Sequence, residues 1–343
     1  MKQARTAKSA LAVLPFSSGG CRLIIAAGLT ALATSPSRAA VTFSFNYTDA
    51  IGIGFNANGQ TGIDRRGALQ QAAAYVSSFL AAYNADIVLD VSGSQTNPTT
   101  LASAASNFNG GNPGVGFGDR GDVMRKILGG NAADPDPTKA DGIVDWNFQD
   151  FQWATGNIFQ AGELDLISTG IHEITHALGW ASGISQNGQD TYSSVLGASS
   201  IWAPFDQFVG DSAGVLINTS FELNSARWNA ASVGGTGTAG LTFLGPNAVA
   251  ANGGNPVFLY SPGPWSDGSS GSHLDTDFYN GTNAPLNMMN HNGVASGLDI
   301  REFNAIELGI LRDIGYTQIV PEPSASLLGV LGVSAFLLRR RRI

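Results

Sequence analysis

Cysteine is almost absent from this chain, which has one, Cys21, in 343 residues. Cys21 lies in a basic N-terminal stretch, ahead of an apolar run, and this position does not resemble a lipoprotein attachment site. If that stretch is removed, the mature protein has no thiol and no disulfide. A disulfide-based fold, a cysteine nucleophile and a cysteine that blocks a metal from a pro-segment are all excluded.

Basic residues are also scarce in the body of the chain. Of 18 lysines and arginines, five lie in residues 1–39 and four in residues 339–342, whereas only Glu322 of the 26 acidic residues lies in these end segments. The body therefore has nine basic and 25 acidic residues, a net charge of −16. Such a surface makes nucleic acid and anionic membrane surfaces poor candidates as partners of the body of the chain.

The first 39 residues combine basic residues, the apolar run LIIAAGLTALAT and a small-residue region that ends in Ser37-Arg38-Ala39-Ala40. This order is typical of a secretory signal peptide, and the small residues Ser37 and Ala39 predict cleavage after Ala39. The apolar run is shorter than the ~20 residues that a membrane span requires. We therefore expect an exported protein.

The last 24 residues have three parts: Val320-Pro321-Glu322-Pro323, the apolar run ASLLGVLGVSAFLL and a run of four arginines. This tail closely resembles the PEP-CTERM sorting signal of Gram-negative bacteria. The resemblance implies that export and C-terminal sorting machinery process the chain, that the tail contacts the membrane transiently, and that the product lies at the cell surface or outside the cell.

The remaining sequence predicts an α+β fold, because a strand, a helix and a buried strand follow one another and favour a mixed sheet with helices packed on it. We assign residues 40–180 to an N-terminal catalytic subdomain and residues 181–319 to an irregular C-terminal catalytic subdomain that ends in a helix. Residues 1–39 are the signal peptide and residues 320–343 the sorting tail. Strands are predicted over 41–47, 85–93 and 143–148, and helices over 64–82, 121–130, 162–180 and 299–314, the last capped by Asp299 and Glu302.

The motif STGIHEITHALGW carries the main chemical signal. Apolar residues recur every three or four positions and predict an amphipathic helix, which places His172 and His176 one turn apart on the same face. Two imidazoles so placed are typical zinc ligands. Glu173 beside them can take a proton from water and return it to a leaving amine, as a peptidase requires.

A catalytic zinc needs a third protein ligand and one open position. Gly179, three residues after His176, can end the helix abruptly, which favours the metzincin arrangement over the gluzincin one. In the usual metzincin spacing the third histidine would stand at position 182, where this chain has Ser182. The compact motif is therefore incomplete.

Two segments, HEITHALGW and the distant GSHLDTDFYNGTNAPLNMMN, resemble the leishmanolysin-like group of metzincin zinc peptidases. The resemblance implies a metzincin-like fold, His273 as the third zinc ligand, and Met288 or Met289 as the methionine of a turn beneath the metal. His291 follows the methionine pair and is the alternative third ligand. Tyr260, Tyr279 and Tyr316 are candidate oxyanion donors that the sequence does not separate.

An acidic loop contains Asp134, Asp136, Asp141 and Asp145. Carboxylates suit calcium, but their spacing does not match an EF-hand, so we predict a solvated loop with Ca²⁺ binding as the alternative.

Together these features predict an exported zinc endopeptidase that hydrolyses protein or peptide substrates with water activated by Glu173. The alternative is a non-catalytic surface or matrix protein with a structural zinc site. An intact Glu173 favours the enzyme, because a closed structural site needs no base.

Overall fold

The structure is a computed structural model. The signal and tail predictions fall outside the residues that it describes, and so does Asp299. The described residues are 41–111, 113–190, 200–281, 287–292 and 300–319.

A four-stranded mixed sheet forms the N-terminal part of the fold, in the order β1-β2-β4-β3. Strands β1, β2 and β4 run parallel, whereas β3 pairs antiparallel with β4 and forms one edge. Alternate residues of β2, among them Ile87 and Leu89, are fully buried, as expected for a strand that packs against helices. The strands are β1 (Thr42–Tyr47), β2 (Asp86–Ser92), β3 (Ala102–Ser106) and β4 (Gly142–Trp146).

Two helices pack closely beside this sheet: α1 (Gln60–Phe79) and α3 (Leu166–Ala177). A methyl group at Gly170 of α3 would lie 2.8 Å from the Cβ atom of Ala72 in α1. Only glycine therefore permits this helix spacing. Along the chain, α2 (Asp122–Gly129) and two short strands that pair in parallel, β5 (Gln152–Ala154) and β6 (Glu163–Asp165), come between α1 and α3.

After α3 the described chain forms a small antiparallel sheet, in the order β10-β9-β7-β8, with short helices around it. Among the described residues no helix is both long and apolar enough to cross a membrane. The elements are β7 (Val209–Asp211), β8 (Gly214–Val215), α4 (Ser225–Ala231), β9 (Thr242–Phe243), α5 (Pro246–Ala251), β10 (Val257–Phe258), α6 (Thr276–Gly281) and α7 (Ala305–Ile314).

The α+β class and the mixed N-terminal sheet are confirmed. The predicted start of the last helix is wrong, because α7 begins at Ala305 rather than near 299. Asn304 caps it: its side chain accepts hydrogen bonds from the Ile306 and Glu307 amides, while Glu307 accepts one from the Asn304 amide. Strand β3 was not predicted, since its small residues (ASAAS) give no apolar alternation.

Candidate metal centre and active-site cleft

Helix α3 is anchored at its N-terminus by Asp165. The Asp165 carboxylate accepts hydrogen bonds from the amides of Ile167 and Ser168, and it also pairs with Arg301 at 2.7 Å. This is a favourable N-cap, because it satisfies two amides that have no partner within the helix. The helix therefore has a fixed start, and the positions of His172 and His176 along it are fixed as well.

Three histidines converge above this helix. The Nε2 atoms of His172 and His176 are 3.0 Å apart, and the Nε2 atom of His273 lies 3.0 Å from the first and 3.1 Å from the second. His273 comes 97 residues after His176, from the segment just before α6. The structure thus brings together the two helix histidines and the third histidine that the resemblance implied.

The other ring nitrogen of each histidine faces a backbone carbonyl oxygen. The distances are 2.8 Å from His172 Nδ1 to Met288, 2.6 Å from His176 Nδ1 to Trp180, and 3.0 Å from His273 Nδ1 to Ser269. A carbonyl oxygen only accepts hydrogen bonds, so each Nδ1 must carry the proton. Each Nε2 of a neutral ring is then a bare lone pair.

Three lone pairs that point at one another within 3.1 Å repel unless a cation lies between them. Burial, helped by its histidine neighbour, lowers the pKa of His176 to about 3, and burial also lowers the pKa of His273 well below its ordinary value. These two rings are therefore neutral at pH 7 and able to coordinate a metal. The three histidines form a group that could hold a metal ion.

The donor set fits zinc. Nitrogen ligands about 2.0–2.1 Å from a tetrahedral zinc lie roughly 3.3 Å apart, close to the observed separations. Carbonyl groups that fix the Nδ1 tautomer are the usual outer partners of zinc-bound histidines. Three protein ligands leave one position open.

Gly179 shapes the exit from the helix. Its φ angle is +97°, in the left-handed region, and its amide bonds to the His176 carbonyl oxygen at 2.9 Å. This turn brings the Trp180 carbonyl back to the His176 ring. Gly179, which the sequence analysis identified, thus positions the carbonyl oxygen that accepts a hydrogen bond from the His176 ring.

The methionine pair supports the site through its backbone. Met288 and Met289 are both buried, and the Leu274 amide donates to the Met289 carbonyl at 2.9 Å, which holds the segment beside His273. The Met289 amide donates in turn to the buried carboxylate of Glu307 at 2.8 Å. The sequence analysis did not identify Glu307, which is fully buried. The only signal for it in the sequence is its position three residues after Asn304, where a glutamate can cap a helix.

His291 lies outside the histidine cluster. Its Nδ1 atom is 2.8 Å from the Thr276 hydroxyl, and its ring stacks on Tyr260 with the centroids 3.5 Å apart. His291 lines the same cleft as the cluster. The structure therefore groups His273, rather than this alternative, with the helix histidines.

Glu173 lies next to His172 on α3 and lines the cleft. Its side chain is almost completely buried, and burial raises its pKa to about 8. A raised pKa makes the ionised carboxylate a stronger base, and the charge of a cation bound to the neighbouring histidines would favour that ionised form, so Glu173 suits the role of proton acceptor beside a metal.

A cleft of about 450 Å³ lies over the histidines. One wall is strand β3 and the loop before it; another consists of residues from α3, and Ser269, Asn287 and Met288 contribute on the side of the third histidine. The described residues that line this cleft do not include Tyr260, Tyr279 or Tyr316, the three candidate oxyanion donors. The Tyr316 hydroxyl instead donates to the Leu178 carbonyl, and the Tyr279 hydroxyl accepts from the Phe258 amide.

The prediction of a solvated acidic loop holds around Asp136, whose side chain is partly exposed, but not for the side chains of Asp134 and Asp141, which are buried. The Lys126 ammonium lies 2.7 Å from Asp134 and 3.0 Å from Asp141, and Asp141 is almost fully buried. Asp136 pairs with Lys139, and Asp145 accepts a hydrogen bond from Ser92 at 2.6 Å. These four carboxylates have protein partners and are not gathered around one point.

No protein-family model matches this chain, and no curated protein matches it significantly. The assignment of a function therefore depends on the geometry of the cleft and on the sequence motifs.

Proposed function

We propose that the protein is a zinc-dependent endopeptidase of metzincin type that hydrolyses peptide bonds in the cleft between β3 and α3. The observation that carries this proposal is the set of three Nε2 lone pairs within 3.1 Å of one another, with Glu173 on the same helix and in the same cleft. A structural site would need a fourth protein ligand, and the cluster contains only three among the described residues.

The proposed metal ligands are His172, His176 and His273. Zinc held by these residues would polarise the peptide carbonyl and acidify a water molecule. Glu173 takes the proton of the attacking water and then delivers it to the leaving amine. The backbone carbonyls of Met288, Trp180 and Ser269 keep the three rings oriented throughout.

Strand β3 supplies the substrate's backbone partners. The Asn147 amide bonds to the Leu101 carbonyl, so the odd-numbered residues of β3 pair with β4. Because the pattern alternates, the amide and carbonyl groups of Ala102 and Ala104 point away from β4, at the free edge. An extended peptide added there would lie beside the histidines, as in other cases of strand addition.

The test is a comparison of native protein with Glu173→Gln, with exposed Glu222→Gln as the matched control. Glu173→Gln should keep one zinc per chain and lose about 10²–10⁴-fold in kcat on casein. The control should retain both zinc and activity. Undiminished cleavage by Glu173→Gln, or zinc without hydrolysis of any of a varied set of proteins by the native chain, would overturn the proposal.

The proposal includes export and surface localisation through the end segments. Mass spectrometry of protein recovered outside the producing cells should find Ala40 as the first residue and no sequence from the arginine run. Recovery of the intact chain from the cytoplasm alone would refute this part.

A further inference from the structure

A second group of buried acidic side chains lies outside the three-histidine cluster, although Asp119 and His176 line one small cavity of about 100 Å³. The group involves Asp119, just before α2, Asp190, on the loop that follows α3, and Asp206, in the turn before β7. All three side chains are at least nine-tenths buried, with exposed fractions of 2%, 8% and 0%. They belong to segments that are distant in sequence.

Hydrogen bonds join these segments. The Asp119 amide bonds to the Trp202 carbonyl at 3.2 Å. Asp206 accepts bonds from the Ser182 hydroxyl at 2.7 Å and the Gly183 amide at 3.1 Å, which ties the chain after α3 to the turn before β7. Asp206 is therefore a fully used structural carboxylate.

Asp119 differs from Asp206 in a decisive way. Neither of its carboxylate oxygens has a hydrogen-bond partner among the described residues, and both are buried. Burial, helped by the charge of Asp190, raises its pKa to about 7, although Arg125 opposes the shift without forming an ion pair with it in the described part of the chain. Asp190 also raises the pKa of Asp206. The backbone geometry brings the two segments together at Asp206: its carboxylate accepts from the Gly183 and Ala203 amides, Ile184 pairs with Asp190, and Trp202 accepts from the Asp119 amide.

A buried carboxylate without a partner costs several kcal/mol, and proteins normally pair such a group or give it a metal ion. We propose that Asp119 and Asp190 are ligands of a structural Ca²⁺ ion that fastens the loop after the metal-binding helix to the segments around residues 119 and 202. Oxygen donors alone favour a hard cation, and Ca²⁺ accepts the irregular geometry that loops provide.

The ion would act on the cleft at a distance. Residues 181 and 182 line the cleft, and the same loop continues to Asp190. An ion that fixes this loop would also fix the turn at the end of α3, where the Trp180 carbonyl oxygen accepts a hydrogen bond from the His176 ring. The site needs no peptidase activity to exist, so it can be tested separately.

The full chain, freed of divalent ions, should be titrated with CaCl₂ by calorimetry. We expect one Ca²⁺ per chain with a Kd of about 10⁻⁴–10⁻³ M, the range of extracellular calcium modules. Asp119→Asn and Asp190→Asn should each weaken binding at least ~10-fold. Asp136→Asn, at a carboxylate that pairs with Lys139 on the surface, is the control and should bind as the native chain does.

Thermal unfolding gives a second readout. Saturating Ca²⁺ should raise Tm for the native chain, for Asp136→Asn and for His172→Ala, but not for Asp119→Asn. His172→Ala separates this site from the histidine centre. Absence of Ca²⁺ binding by the native chain, or native-like binding by folded Asp119→Asn and Asp190→Asn, would overturn the proposal.

Discussion

The Nδ1 atom of His176 lies 2.6 Å from the carbonyl oxygen of Trp180, a residue beyond the end of helix α3. This contact exists because Gly179 between them adopts a φ of +97°. The ring of a proposed zinc ligand is therefore held by the turn that ends its own helix.

Gly179→Ala should disturb this relationship. The new methyl group would meet the end of the Met124 side chain at 2.9 Å, and a left-handed φ costs an alanine roughly 1–2 kcal/mol. We expect lower thermal stability and, because an outer partner of a ligand is displaced, about 10- to 100-fold weaker zinc binding. Competition with a zinc-chelating dye measures the affinity.

Gly67→Ala is the matched control for that variant. Gly67 is an exposed helical position in α1 at which an added methyl group meets nothing within 4 Å. This change should stabilise the protein by up to about 1 kcal/mol and leave zinc affinity unchanged. Equal zinc affinity in Gly179→Ala and Gly67→Ala would show that the turn does not position His176.

Substitution of the two histidines that lie outside helix α3, His273 and His291, should affect zinc binding differently. His273→Ala removes a member of the cluster and should reduce zinc affinity by more than the roughly 10- to 100-fold typical of outer partners. His291→Ala should retain one zinc per chain, because His291 is held by Thr276 and Tyr260 instead. Metal analysis after dialysis measures both, and zinc loss from His291→Ala alone would reverse the assignment.

How much of this site the sequence predicts depends on distance along the chain. Helical spacing is a local property, so His172, Glu173 and His176 follow directly from one motif. His273 lies 97 residues from His176, and only the resemblance pointed to it. The carbonyl acceptors of the three rings have no side-chain signature, because any residue carries a carbonyl group.

The same reasoning explains the missed elements of the fold. The strong strands β1, β2 and β4 and the helices α1 and α3 have clear apolar periodicity, whereas β3 consists of small residues whose pairing is decided by β4. Glu307 and Asp119 look like surface acids in the sequence. Their burial is a consequence of packing between distant segments.

Strand β3 offers a direct test of substrate binding. Ala104→Pro removes an amide that points away from β4, at an edge where proline is tolerated. Thermal stability should stay near the native value, while KM for an extended peptide should rise several-fold, since one backbone hydrogen bond of about 0.5–1.5 kcal/mol is lost.

Ala105→Pro provides the contrast, because the Ala105 amide belongs to the ladder with β4, and loss of that hydrogen bond should destabilise the fold by about 0.5–1.5 kcal/mol. Circular dichroism and peptide-cleavage kinetics on both variants separate folding from binding. An unchanged KM in folded Ala104→Pro would exclude the edge as a substrate partner.

Asp206 makes stability depend on pH in a defined direction. Its carboxyl is fully buried, and burial raises its pKa from the ordinary 3.8 to about 7. Between about pH 4 and pH 7, the folded state of the metal-free protein therefore keeps a proton on Asp206 that the unfolded state has already released. This contribution to the free energy of unfolding is fully present below about pH 4 and is lost as the pH rises through 7.

Asp206→Asn cannot release that proton, so it isolates the effect from the buried histidines, which titrate in the opposite sense. The free energy of unfolding of the native chain, relative to that of Asp206→Asn, should fall by roughly 1–3 kcal/mol between pH 5 and pH 8. Urea unfolding at a series of pH values measures it. A difference that is constant or rises with pH would mean that Asp206 is ionised in the folded protein, held by the Ser182 hydroxyl and the Gly183 amide strongly enough to overcome its burial.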